Sequence, residues 1–221
     1  MWTPCWQEGM ISRMQKPLVL LAALLLQFAL VPAESQARHK GRDLTAPADD
    51  SWRRPDIVLE ALAPKPGEAV ADLGAGSGYY AGPLANLVGR GGIVYATDVD
   101  DNALRGLEGL KATHGIRQMI IIHGANQSTG LPPSSVNAVL ISHTLREVKE
   151  PVQFLMDLKR ALKRDARIVI VELHRKDDGF VPPKSQRLEI NEAKRIVQRA
   201  GYRITDVKEI PRQYILTCQS N

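Results

Sequence analysis

The chain has 221 residues, 44% of them hydrophobic and 24% charged. That length and balance fit a globular domain with a full core and exclude a disordered or fibrous protein. Two cysteines cannot build a disulfide framework, and a net charge of +5, scattered along the chain with no aromatic-basic platform, gives no expected nucleic-acid surface.

Arg13 and Lys16 precede an apolar run over residues 18–31, broken only by Gln27 and ended by Pro32. Ser35 and Ala37 then place small residues where a signal peptidase reads. About fourteen helical residues reach only about 21 Å, short of a hydrocarbon core of about 30 Å. Residues 1–37 are therefore expected to be a signal peptide or N-terminal anchor. The expected location is outside the cytoplasm, periplasmic or secreted, after cleavage of that signal. Basic residues lie on both sides of the run, so its orientation stays open. Membrane association through this segment, or a cytoplasmic placement, is the alternative. Residues 38–50, polar with Gly41 and Pro47, read as a flexible arm, and residues 51–221 as the folded domain.

Pro55 opens a helix over 55–63, preceded by Trp52. Residues 69–73 read as a buried strand that runs into Gly74, Gly76 and Gly78. A helix follows over 79–88, with Pro83 favouring a later start, and Gly89 stops it. Residues 92–98 form the second strand. Asp100 or Asp101 caps a helix that ends at Gly115. Residues 118–122 form a third strand, apolar enough to be covered on both faces. The fourth strand spans 136–142, a helix 151–162, the fifth strand 167–172 and a last helix 192–200. Strands over 202–207 and 213–218 are joined too closely for a crossover, so they should pair antiparallel. Alternating strands and helices predict an α/β fold, a mainly parallel sheet with helices on both faces.

The chemistry concentrates at the first turn. Glycine admits close approach of a ligand to the backbone. The helix that follows offers unpaired N–H groups with partial positive charge to an anion. The spacing is G-x-G-x-G rather than the dinucleotide G-x-G-x-x-G, and Asp72 stands two residues before it. Asp72 would repel a pyrophosphate but suits a ligand carrying both an ammonium and a carboxylate. About twenty residues further on, Asp98 ends the second strand, where an acid can bind ribose hydroxyls.

Across Trp52 to Tyr214 the chain resembles the class I S-adenosylmethionine-dependent methyltransferases of the small-molecule type, on D-L-G-A-G-S-G and Asp98-Val-Asp100. The resemblance implies a Rossmann-like seven-stranded sheet of order 3-2-1-4-5-7-6 with an antiparallel last strand. It implies S-adenosylmethionine as cofactor and a small-molecule acceptor. It assigns cofactor binding to Asp72, Gly74, Gly76, Ser77 and Gly78, with Asp98 on the ribose and Val99 on adenine. Asn126 or Gln127 would face the adenine amino group, and Ser142 the methionine portion. It also makes Trp52 a lid over the pocket, against a second reading as a core anchor under the first helix. The sequence departs from the family at Asn137, where an acid is common, and at Arg164-Asp-Ala166, where a Pro-Gly-Gly turn is usual.

His143, Glu147 and His174 follow strand ends on the ligand side and are candidates for a base or an acceptor-binding group. Arg175, Lys176 and Arg187 could favour an anionic acceptor, with solvated charge the preferred reading. No metal-ligand spacing is present in the sequence. Two other functions remain to be weighed: a nicotinamide-dependent oxidoreductase, and a non-catalytic or degenerate cofactor-binding domain.

Overall fold

The first strand, β1 (Ala69–Leu73), is buried at all five positions. A computed structural model, which describes residues 50–125, 127–174 and 186–221, shows why. β1 lies inside the sheet, parallel to β2 (Ile93–Asp98) on one side and β4 (Val136–Ser142) on the other. Neither its faces nor its edges meet water, so every position is apolar except Asp72. Burying Val70 or Leu73 contributes about 1.5–3 kcal/mol each. The expected leader, the arm as far as residue 49, Asn126, Arg175 and Lys176 lie outside the described residues.

The sheet has seven strands in the order β3-β2-β1-β4-β5-β7-β6. Its remaining members are β3 (Met119–His123), β5 (Leu162–Leu173), β6 (Tyr202–Ile210) and β7 (Gln213–Ser220). β7 runs antiparallel to both of its neighbours. Helices α1 (Pro55–Leu62), α2 (Ala81–Val88) and α3 (Asp101–His114) pack Val58, Leu84 and Leu107 into one core layer. Helices α4 (Pro151–Leu158) and α5 (Ile190–Arg199) pack Leu155, Leu158 and Val197 into the other. The strand order reverses direction between β1 and β4. Right-handed crossovers therefore put α2 and α3 on one face and α4 on the other.

Several boundaries differ from expectation, each for a physical reason. α2 starts at Ala81, and Pro83 sits in its first turn, where no N–H needs an intrahelical partner. Asp100 is the cap of α3, its Oδ1 accepting from the N–H groups of Asn102 and Ala103 at 2.7 and 3.0 Å. Glu189 does the same for α5 and moves its start back to Ile190. β3 is an edge strand, not covered on both faces, and Ile120 is 42% exposed. β5 begins at Leu162, because Arg164-Asp165-Ala166 continues the strand instead of turning. Asp165 (φ 61°) and a register shift between Val136 and Ala138 absorb the irregularity. Asn137 Oδ1 accepts from the Ala69 N–H and from Lys163 Nζ, both at 3.1 Å, at the strand ends remote from the glycine turn.

Candidate cofactor and acceptor site

A pocket opens beyond the carboxyl ends of β1, β2 and β4, at the point where the strand order reverses. Gly74 and Gly76 form one wall. Asp98 and Val99 stand at the end of β2, and Ser142, His143 and Glu147 line the β4 side.

The turn that carries the glycines is held by backbone bonds. Gly74 and Ala75 donate to the Thr97 carbonyl at 2.8 and 2.9 Å. Gly74 has φ +71°, and a Cβ there would stand 2.2 Å from Thr144 Oγ1. Gly76 has φ +56° and open space where a Cβ would go, and it lines the pocket. Gly78 serves packing: a Cβ would meet Leu110 at 2.5 Å, and the residue is buried away from the pocket lining. Ser77 is exposed and does not line the pocket either.

Asp72 is 2% exposed, and its Oδ2 has no hydrogen-bond partner. Burial, and secondarily the charge of Asp98, pushes its carboxyl up to about 7. The buried Ser142 and Tyr80 hydroxyls lie beside each other, and each is the other's polar neighbour. Buried polar groups are ordinarily satisfied. The unsatisfied Asp72 Oδ2 beside the glycine turn is an exception to that rule.

On the adenine side the structure differs from the expected pair. Asn126 lies outside the described residues, and Gln127 is exposed and away from the pocket lining. Ser128 and Thr129 line the pocket instead. Asp157 of α4 holds them, its Oδ2 accepting from Ser128 Oγ at 3.1 Å and from the Thr129 N–H at 2.9 Å. Sequence reading missed this clasp, because Asp157 lies 28 residues from Thr129. Val99, 55% exposed, stands where it can cover one face of a ring.

Of the three acid-base candidates, His143 and Glu147 line the pocket and His174 does not. His174 is 7% exposed, against the Tyr214 ring, with Nε2 3.6 Å from Glu209 Oε2. Arg187 is buried and donates to the His174 carbonyl at 3.1 Å, so the reading of Arg187 as solvated charge is corrected. His143 is pushed down to about 3 by burial and by the guanidiniums of Arg53 and Arg146. Trp52 stacks on the His143 ring at 5.6 Å, which puts it on the pocket side of the domain.

Arg146 organises the turn after β4. Its Nη1 reaches Glu172 Oε2 at 3.2 Å and also donates to the His143 carbonyl, while Nη2 reaches Glu147 Oε1 at 2.9 Å. Glu172, fully buried at the end of β5, is raised by that burial to about 6 against the opposing pull of Arg146. Among the described residues no group of three His, Cys, Asp or Glu side chains could hold a metal ion.

Residues 71–170 match the family described as "Methyltransferase domain". A solved S-adenosylmethionine-dependent methyltransferase from Aquifex aeolicus superposes with a TM-score of 0.75 at 27% identity, over 79% of this chain and 94% of that one. Residues 71–170 are a methyltransferase domain, and the fold is that of the S-adenosylmethionine-dependent methyltransferases. The domain is also similar to the ubiquinone/menaquinone biosynthesis C-methyltransferase of Pasteurella multocida, at 27% identity over 55% of this chain and 45% of that protein. To the demethylmenaquinone methyltransferase of Clavibacter sepedonicus it is 35% identical, over 56% of this chain and 48% of that protein. The chain thus spans just under half the length of these two curated relatives. The pocket suits this cofactor class at Gly76, where a Cβ would fill open space, while Asp72, its Oδ2 unpartnered, is buried behind the glycine turn and does not itself line the pocket.

Proposed function

We propose that the chain transfers a methyl group from S-adenosylmethionine to a small-molecule acceptor bound against the Ser142–Glu147 side of the pocket. The observation that carries this reading is the unpartnered Asp72 carboxyl buried beneath the glycine turn. An ammonium would supply its missing partner and favour its charged form. A nicotinamide dinucleotide would bring phosphates toward that acid and lose by it.

In this reading Asp72 receives the amino-acid end, and Gly74 and Gly76 let it approach the backbone. Asp98 meets the ribose, while Val99, Ser128 and Thr129 enclose the base. The bound cofactor supplies a methyl group on a sulfonium, already activated for displacement. The protein's part is chiefly alignment, holding the acceptor in line with the methyl carbon. His143 resists protonation down to about pH 3. A general base works best with a pKa near the operating pH. His143 therefore serves as a neutral hydrogen-bonding group, and Glu147 at the pocket wall is the group placed to take a proton from an acceptor that must lose one. The names of the two relatives, one for ubiquinone/menaquinone biosynthesis and one for demethylmenaquinone, support a small organic acceptor.

Titration calorimetry with S-adenosylhomocysteine, S-adenosylmethionine and NAD tests the reading. Binding of the first two is expected; binding of NAD alone would overturn it. Incubating a lysate with methyl-labelled cofactor then traps the acceptor.

We further propose export by cleavage of the segment before residue 38. Its support is the charge, apolar-run and small-residue pattern of residues 13–37. N-terminal sequencing of protein from separated cell fractions should begin near residue 38; an intact N-terminus in the cytosolic fraction would refute it.

A further inference from the structure

His143 holds a conformation that few residues with a Cβ adopt. Its φ is +56°, in the left-handed region, at a cost of about 1–2 kcal/mol. Strain of this kind persists only where the surroundings over-determine it, and it gathers at functional sites. Three ties hold His143. Its N–H donates to the Val171 carbonyl at 2.8 Å. Its carbonyl accepts from Arg146 Nη1. Its ring Nε2 meets Gln213 Oε1 at 3.2 Å.

Gln213 is fully buried at the start of β7. Both ends of its amide are used, and the partners decide which end is which. The Arg53 carbonyl can only accept, so the atom 2.6 Å from it is the amide nitrogen. The other end is then the amide oxygen, which also only accepts. His143 Nε2 must therefore carry a proton. A neutral imidazole has one N–H, so Nδ1 keeps its lone pair.

We infer that Gln213 is a positioning residue: it selects the Nε2–H tautomer of the neutral His143 ring, tethers the Asp50–Arg53 turn to it, and leaves Nδ1 to accept a hydrogen bond from an acceptor molecule bearing an O–H or N–H. Only the last of these rests on the methyltransferase reading. The environment agrees. Arg53 faces the ring from the N-terminal turn, Trp52 stacks on it, and Arg146 faces it from the turn after β4, with Glu147 and Glu172 paired to that same Arg146. Burial and the two cations disfavour an imidazolium and outweigh the opposing pull of the Gln213 oxygen, and a bound sulfonium would disfavour it further.

Long-range proton–nitrogen NMR correlations of the full chain, labelled with 15N-histidine and free of cofactor, test this between pH 5 and 8. The His143 set is assigned by its loss in His143→Gln. The wild type should show the Nε2–H pattern and no titration across the range. A His143 that titrates near pH 6.5, or rests as Nδ1–H, would overturn the proposal. Gln213→Glu keeps an acceptor for Nε2–H but adds a charge and cannot donate to Arg53. Its His143 should titrate within the range, and trypsin should cut after Arg53 several-fold faster. Unchanged cleavage would remove the tether. Because neither cofactor nor acceptor is added, the outcome is independent of whether S-adenosylhomocysteine binds.

Discussion

The Asp98 carboxylate accepts a hydrogen bond from the Gly76 N–H at 2.8 Å, joining the two halves of the binding motif across 22 residues. Its other oxygen accepts from the N–H groups of Val99 and Asp100 at 2.8 and 3.0 Å. The acid that should meet the ribose also braces the turn that should meet the amino-acid end. Asp98→Ala is therefore expected to weaken S-adenosylhomocysteine by about 1.5–3 kcal/mol and to lower the melting temperature as well. Asp98→Asn keeps an oxygen for the turn and should lose affinity with less loss of stability. Calorimetry showing full affinity in Asp98→Asn would count against the ribose role.

Gly74 and Gly76 should respond differently to alanine. At Gly74 a Cβ collides with Thr144 and adds left-handed strain, so the variant should be poorly folded. At Gly76 nothing lies within 4 Å, and the strain alone costs about 1–2 kcal/mol. Gly76→Ala should thus fold yet lose tenfold or more in cofactor affinity. Urea denaturation beside ligand titration checks the pair; a Gly76→Ala protein that binds normally would remove Gly76 from the cradle.

Asp72 makes a prediction in pH. Its folded-state pKa of about 7 exceeds the ordinary 3.8, so the folded protein holds the proton that the unfolded chain releases. Stability of the ligand-free protein should fall as pH rises from about 4 to about 7, at up to about 1.4 kcal/mol per pH unit, and then level off. Asp72→Asn should flatten this slope and be the more stable protein at pH 8. Affinity for S-adenosylhomocysteine should rise between pH 6 and 8 in the wild type and stay low in the variant. Melting curves across pH, with and without ligand, test both signs.

Arg146 is the counter-ion of a fully buried carboxylate. Removing it in Arg146→Ala leaves Glu172 without charge compensation and should cost about 3–5 kcal/mol at pH 8. The loss should shrink at pH 5, where Glu172, already near 6, takes a proton. Adding Glu172→Gln should recover part of the loss at pH 8. Denaturant melts at the two pH values would show otherwise if the cost were the same at both.

The positions of the strands, the glycine turn and the two acids were legible from the chain because their signals are local, while the order of the strands came from the resemblance to the methyltransferase family. A continuous apolar run, a G-x-G-x-G spacing and an acid at a strand end are each recognised within a few consecutive residues, whatever they later touch. Tertiary structure alone decided the rest. Gln213 meets His143 from 70 residues away and Asp157 clasps Thr129 from 28, and no spacing rule spans such gaps. Composition cannot tell an edge strand from a central one when both are apolar, so β3 was misread. Nor can it tell a solvated arginine from Arg187, because burial belongs to the packed neighbours and not to the residue itself.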